Sequence, residues 1–240
     1  MKKLITTDNL NILTLAEVPQ RSETYTPISN TYLHGIVIEE STKEGLALID
    51  YQFKASTNGE IMIGTYRFES KYPDLNMMIG WRNSYDKSRT AVMCSGSKVH
   101  ICENGFVFSD EQFVRKHTSN VDEMILPILL AQIKLVQTNM YQSADFAHNL
   151  KQVIESPEYI YGMLGNLYMD EVLSSTQLSK VKEEYHGEHS FNYNVEINNL
   201  YNIYNLCTLS LKSEHPSTYF NKHQRLQVFF QEQLAFLNIN

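Results

Sequence analysis

Gly80-Trp81-Arg82-Asn83-Ser84-Tyr85-Asp86-Lys87-Ser88 is the stretch on which the reading of this chain turns. It holds the only tryptophan, two cations, a carboxylate and a run of polar turn formers. Residues 75–81 lead into it as a strand. Three short apolar runs follow, at 90–95, 98–103 and 106–109, separated by Gly96-Ser97 and Asn104-Gly105. Both pairs suit two-residue hairpin turns. A Gly96-Ser97 turn sets Cys94 against Val99 and Val92 against Ile101, which puts all four on one apolar face. Met93, Lys98, His100 and Cys102 then take the other face, as a half-buried sheet requires. An Asn104-Gly105 turn continues the pattern by setting Ile101 against Phe108. The same register sends Cys94 and Cys102 to opposite faces, so no bond between them is expected.

Upstream, 32–39, 46–54 and 60–69 also read as strands. Asn58-Gly59 between the last two is a strong hairpin signal, because both residues accept positive φ. Met62, Gly64, Tyr66 and Phe68 suit a core face, with Gly64 marking a bulge or a close approach. Residues 1–30, in which Pro19 and Pro27 flank a Ser/Thr-rich stretch, read as an arm packed loosely on the body or on a partner.

After residue 118 the period changes. Ser119 or Asn120 can cap a helix that runs to about residue 153, with Asp122 and Glu123 in its first turn. Ile125, Ile128, Leu129, Ile133, Val136 and Met140 follow helical spacing, and Pro127 should bend this helix or mark its true start. Ser156-Pro157-Glu158 opens a second helix. Further helices are expected at 176–185, ended by Gly187, at 196–212, stopped by His215-Pro216, and at 218–236. Strands followed by helices make the chain α+β. The expected form is an antiparallel β-meander sheet in the N-terminal half and a helical C-terminal half. Together these form one domain over 31–240, its sheet half 31–118 and its helical half 119–240.

The bulk numbers agree. At 240 residues, 42% hydrophobic and 20% charged, the chain can bury one sizeable core and is not of disordered composition. A net charge of −7 argues against a uniform nucleic-acid coat. Residues 81–118 nonetheless carry six Lys/Arg against four acids, a local excess of positive charge. Three widely spaced cysteines give no disulfide framework. With neither a signal peptide nor an apolar run of spanning length, a cytoplasmic protein with no membrane contact is expected.

The Gly80–Ser88 stretch resembles the signature of the phage/plasmid-like family catalogued as domain of unknown function 932. Val99-His100-Ile101-Cys102-Glu103-Asn104, Arg115-Lys116-His117-Thr118 and Leu200-Tyr201-Asn202 agree with it in order. The resemblance implies a phage, plasmid or prophage origin, hence action in a host cytoplasm, but no settled activity. A β-meander followed by a long helix is similar in outline to single-strand annealing proteins of phage recombination, an analogy of fold alone.

No phosphate loop, dinucleotide fingerprint or nucleophile elbow is present. His186 and His189 with Cys207, and His100 with Cys102, fall short of a metal site or a thiolate pair. No catalytic residue, metal or cofactor is therefore assigned. The candidate contact surface is Trp81, Arg82, Tyr85, Lys87 and Arg89, extended by Arg115, Lys116 and His117. If these side chains are exposed together, they form a stacking and phosphate-contacting platform for single-stranded DNA. The competing reading packs Trp81 and Tyr85 inward, lets Asn83, Ser84 and Asp86 tie the loop, and buries an Arg82–Asp86 ion pair. Phe220, Phe229, Phe230 and Phe236 read as a core helix with room for self-association. Two functions follow. One is a non-catalytic protein of nucleic-acid metabolism that binds or anneals single strands. The other is a protein-interaction factor acting on a host complex, such as an inhibitor of host defence. An enzyme of unrecognised type is a third reading.

Overall fold

A computed structural model describes residues 4–72, 75–99, 105–106, 113–115, 121–187 and 198–237. Its strands are β1 (Leu4–Thr7), β2 (Leu48–Ser56), β3 (Ile61–Phe68), β4 (Leu75–Ser84), β5 (Ala91–Val99), β6 (Gly105–Phe106) and β7 (Phe113–Arg115). They form one seven-stranded sheet in which β1 to β5 follow one another and β5 also carries β6 and β7. Every pair is antiparallel. Helix α1 (Asn30–Lys43) precedes β2, and α2 (Val121–Lys151), α3 (Pro157–Met169), α4 (Ser175–His186), α5 (Leu200–Leu211) and α6 (Tyr219–Phe236) follow the sheet. The chain is thus α+β, with its antiparallel sheet in the N-terminal half and its helical half after it.

Three expectations fail within the sheet half. Residues 32–39 are helical. The Ser29 hydroxyl caps α1 by accepting from the Tyr32 amide at 3.3 Å. Leu33, Ile36 and Val37 then share one buried face, and Lys43 bridges back to Glu39 and Glu40 at 2.7 Å. Gly45 at φ 78° closes the helix, its amide bonded to the Thr42 carbonyl. Packing against the sheet outweighs the strand preference of Ile36-Val37-Ile38. The second failure is at Gly96-Ser97. No turn forms there: β5 runs straight through both residues, Cys94 lies opposite Gly80 rather than Val99, and Ser97 lies opposite Met77. Eight residues of β4, Leu75 to Arg82, offer backbone partners along this length, and paired amides are worth more than an early turn. Gly105, expected in a turn, is a strand residue instead: β6 pairs it with Lys98 and Phe106 with Ser97; Cys102, Ile101 and Phe108 lie outside the described residues.

Other expectations hold. Gly59 at φ 73° makes the β2–β3 turn, its amide bonded to the Ser56 carbonyl. Ser156 and Gly187 stand at the helix ends the sequence marked. Pro127 lies inside α2 rather than at its start. The opening segment departs from expectation: it is no loose arm but is tied down, because β1 adds an edge strand to β2 and Ile12, Leu13, Tyr25 and Ile28 are buried.

The sheet has cover on both faces. On one, Phe53, Ala55, Met62, Tyr66, Ile79, Trp81 and Met93 pack with α1 and the first half of α2. The far half of α2 enters a second core with α3 to α6, through Phe146, Ala147 and Leu150. In that core all twelve residues of α5 are buried. On the other sheet face Ile63, Met78, Val92 and Cys94 meet Phe220 of α6. Gly80 allows this seat, since a Cβ there would stand 2.9 Å from the Phe220 ring. No helix among the described residues is long and apolar enough to cross a membrane.

Candidate functional site

The turn between β4 and β5 is built from its own polar side chains. Ser84 and Ser88 hydroxyls and the Ser88 amide all donate to one Asp86 carboxylate oxygen, the amide at 3.0 Å. The Arg89 amide donates to the Ser84 hydroxyl at 3.3 Å. Partial burial alone would raise the Asp86 carboxyl, but these hydrogen bonds outweigh it and hold the group below its ordinary range. Lys87 takes the left-handed conformation at φ 60°, which costs a non-glycine residue about 1 kcal/mol or more. Its ammonium lies 4.5 Å from the centre of the Tyr25 ring, a contact worth ~0.5–1 kcal/mol at an exposed site. Asp86, Lys87, Ser88 and Arg89 are exposed.

The first half of the same stretch points inward. Trp81 is 0% exposed; its indole N–H donates to the Tyr66 hydroxyl at 3.0 Å, and Phe53 lies beside it. Tyr85 is buried, and its hydroxyl accepts from the Asn30 amide at 2.9 Å. Asn83 donates to the Ile28 carbonyl and the Asn30 side chain at 2.7 and 2.8 Å. Residues 83–85 are therefore a joint that pins the start of α1 to the sheet. Neither Trp81 nor Tyr85 is free to stack on a base.

Arg82 is buried too, at 8% exposed, but not as an ion pair with Asp86. It leaves the sheet on the face opposite Trp81, and its guanidinium donates to the Ser217 carbonyl at 2.6 Å. Burial, with the Arg89 charge adding to it, pushes its pKa down. Nothing local to Arg82 signals this contact, since its partner lies 135 residues away. Lys54, also missed, does the same on β2. It too is 8% exposed, and it donates to the Lys212 carbonyl at the end of α5 at 2.8 Å, 158 residues on. A cation there also offsets the negative end of the helix. The two cations clasp the segment joining α5 to α6 onto the sheet. Replacing Arg82 with methionine keeps the stem but strands the Ser217 carbonyl. A loss of about 1–2 kcal/mol is expected, the lower part of the range for an unsatisfied buried acceptor, read as a shift in the denaturant midpoint. No change in midpoint would mean that the clasp is dispensable.

Of the expected platform, Lys87 and Arg89 remain at the surface. Arg115 is placed by its backbone: it pairs with Ala91, two residues from Arg89, at the same end of the sheet. Lys116 and His117 lie outside the described residues, as does His189. Cys94 and Cys207 are free, and burial pushes both thiols up, away from reactivity. Among the described residues no group of three or more His, Cys, Asp or Glu converges as a metal site would. Compared with known proteins, the chain matches no family model, no curated protein and no solved structure.

Proposed function

We propose that this is a phage- or plasmid-type, non-catalytic protein of nucleic-acid metabolism, of the family that its Gly80–Ser88 stretch resembles. On this reading the β4–β5 turn touches the phosphates of single-stranded DNA. The observation that carries the reading is the gathering of Lys87, Arg89 and the Arg115 backbone position at one end of the sheet, around a turn that Asp86 holds in shape. The contact is electrostatic, without stacking, because Trp81 and Tyr85 are core residues. The net −7 does not oppose it strongly, since salt screens acids beyond about 8 Å at physiological strength.

Each phosphate contact to a single strand contributes a slope of about −0.7 to the logarithmic salt dependence. Three cations therefore predict about −2 for a labelled oligothymidine followed by fluorescence anisotropy. In the Lys87→Gln/Arg89→Gln double variant the slope should flatten to about −0.7, with stability lowered by no more than about 1 kcal/mol, the size of the Tyr25 contact that Lys87 gives up. A parent that fails to bind at low salt, or a double variant with the parent's slope, would sink the reading. The acidic body and the exposed Tyr161, Tyr168 and Met169 of α3 favour the second reading, a factor that contacts a host protein.

A further inference from the structure

Lys54 and Arg82 occupy the sheet face opposite Trp81. The registers of β1, β2 and β3 place Thr6 opposite Lys54, Lys54 opposite Ile63 and Gln52 opposite Thr65. Alternation along each strand sends Thr6, Gln52, Lys54, Ile63 and Thr65 to the same face. Lys212 and Tyr219 close over them from the joined end of α5 and start of α6. The seven residues line a cavity of about 230 Å³.

Its chemistry is unusual for a protein of net charge −7. Among the described residues the wall carries two lysines, two threonine hydroxyls, a tyrosine and a glutamine amide, and no carboxylate. Glu214, the acid whose field reaches Lys54, is engaged elsewhere: it pairs with Lys222 at 3.1 Å and accepts from Gln177 at 2.8 Å and from Thr218 at 2.7 Å. The Lys54 ammonium has three donors. One goes to the Lys212 carbonyl, and one side of the group faces the Tyr219 ring, with 4.8 Å to its centre. A third is left for the cavity. A cation nine-tenths buried is costly unless it is matched by charge, and a carbonyl and a ring supply only partial charges. Burial accordingly pushes Lys54 down to about 8, against the opposing pull of Glu214. Among the described residues lining the cavity, none supplies Lys54 with a full negative charge.

We propose that this cavity is a binding site for a small oxyanion, a phosphate or a carboxylate. The oxyanion takes a charge-assisted hydrogen bond from Lys54 and further ones from the Thr6 hydroxyl and the Gln52 amide. The Thr65 hydroxyl already donates to the Gln52 carbonyl at 3.1 Å and serves as wall rather than ligand. The enclosed part suits a small ion. About 30 Å³ per water volume gives room for some seven or eight non-hydrogen atoms. Inorganic phosphate and short organic acids fit within it, and the exposed Thr6, Gln52 and Lys212 leave it open to solvent on one side. The proposal does not depend on the DNA reading, because the cavity and the β4–β5 turn use different residues.

The probes are inorganic phosphate and acetate, each titrated by calorimetry at constant ionic strength with chloride as the balancing salt. One arm or both should show saturable one-to-one binding, and the pair tells phosphate from carboxylate. Thr6→Val, which is close in shape and sits on an edge strand, should weaken binding at least threefold, and Lys54→Met should abolish it. Because Lys54→Met also loosens the end of α5, the Thr6 variant keeps the test decisive if the lysine variant fails to fold. Lys87→Gln/Arg89→Gln should bind the anion as the parent does while its DNA binding weakens and its salt slope flattens, which separates failure of this site from failure of the other. Absence of saturation with both anions up to 20-fold above physiological millimolar levels, or parent affinity in Thr6→Val, would overturn the proposal.

Discussion

Replacing Trp81 with alanine should cost about 3–5 kcal/mol, the range for removing a large buried aromatic side chain. The indole is fully buried between Phe53, Tyr66 and the backbone of Gly64, on the face covered by α1 and α2. Its removal leaves a void that strands on either side are too tightly paired to fill. The Tyr66 hydroxyl loses its indole donor but keeps His34 at 3.1 Å, so most of the loss is packing. For a chain of this length, that corresponds to a melting temperature lower by about 10 °C. A denaturant midpoint that falls at constant slope would confirm it. A change under about 1 kcal/mol is what an exposed ring would give, and that result would restore Trp81 as a base-stacking residue.

Gly64→Ala should be nearly as damaging, by the opposite route. A Cβ on Gly64 would stand 2.5 Å from Cε2 of Trp81 and 2.7 Å from Cζ2 and Nε1. These atoms belong to a rigid ring system held on every side, so the ring has nowhere to retreat. Overpacking of this kind costs typically 1–3 kcal/mol and sometimes more, and a value near 3 is expected here. The pair makes a cycle. In a Trp81→Leu background, where the ring is gone, Gly64→Ala should cost below about 1 kcal/mol. The difference is a coupling of about 2 kcal/mol, within the range for residues in contact. Equal costs in both backgrounds would show that Gly64 matters for its backbone and not for the ring above it.

The sequence displayed some of this plainly. Asn58-Gly59 announced the β2–β3 hairpin because a tight turn needs a residue that accepts positive φ. Alternation along β3 identified Met62, Tyr66 and Phe68 as core and marked Gly64 as a place of close approach. Helix α1 was hidden by Ile36-Val37-Ile38, a β-branched run whose local preference is overruled. Its true signals were the Ser29 cap and the helical spacing of Leu33, Ile36 and Val37. The Gly96-Ser97 pair misled because turn preference says nothing about the length of the neighbouring strand. At the candidate site, the exposed half was legible: a polar loop with a carboxylate amid serines ties itself and presents its lysine and arginine. The buried half was not. Alternation tells which residues share a face, but it does not tell whether that face is open. Trp81 and Arg82 lie on opposite faces and both are covered, the second by chain more than 130 residues downstream. Lys54 is illegible for the same reason, as is the cavity beside it.

That distant cover has a consequence for the order in which the molecule is made. The sheet face bearing Ile63, Met78, Val92 and Cys94 receives Phe220 only after 140 further residues have followed Gly80. Helix α5, buried along its whole length, has no water-facing side and so no stable place until its neighbours stand around it. Contacts this far apart in the chain come late and at high entropic cost. At about 5–20 residues per second, a ribosome needs roughly 7–28 s to go from Gly80 to Phe220. Through that interval the apolar side chains of this face have emerged without the ring that covers them in the finished chain.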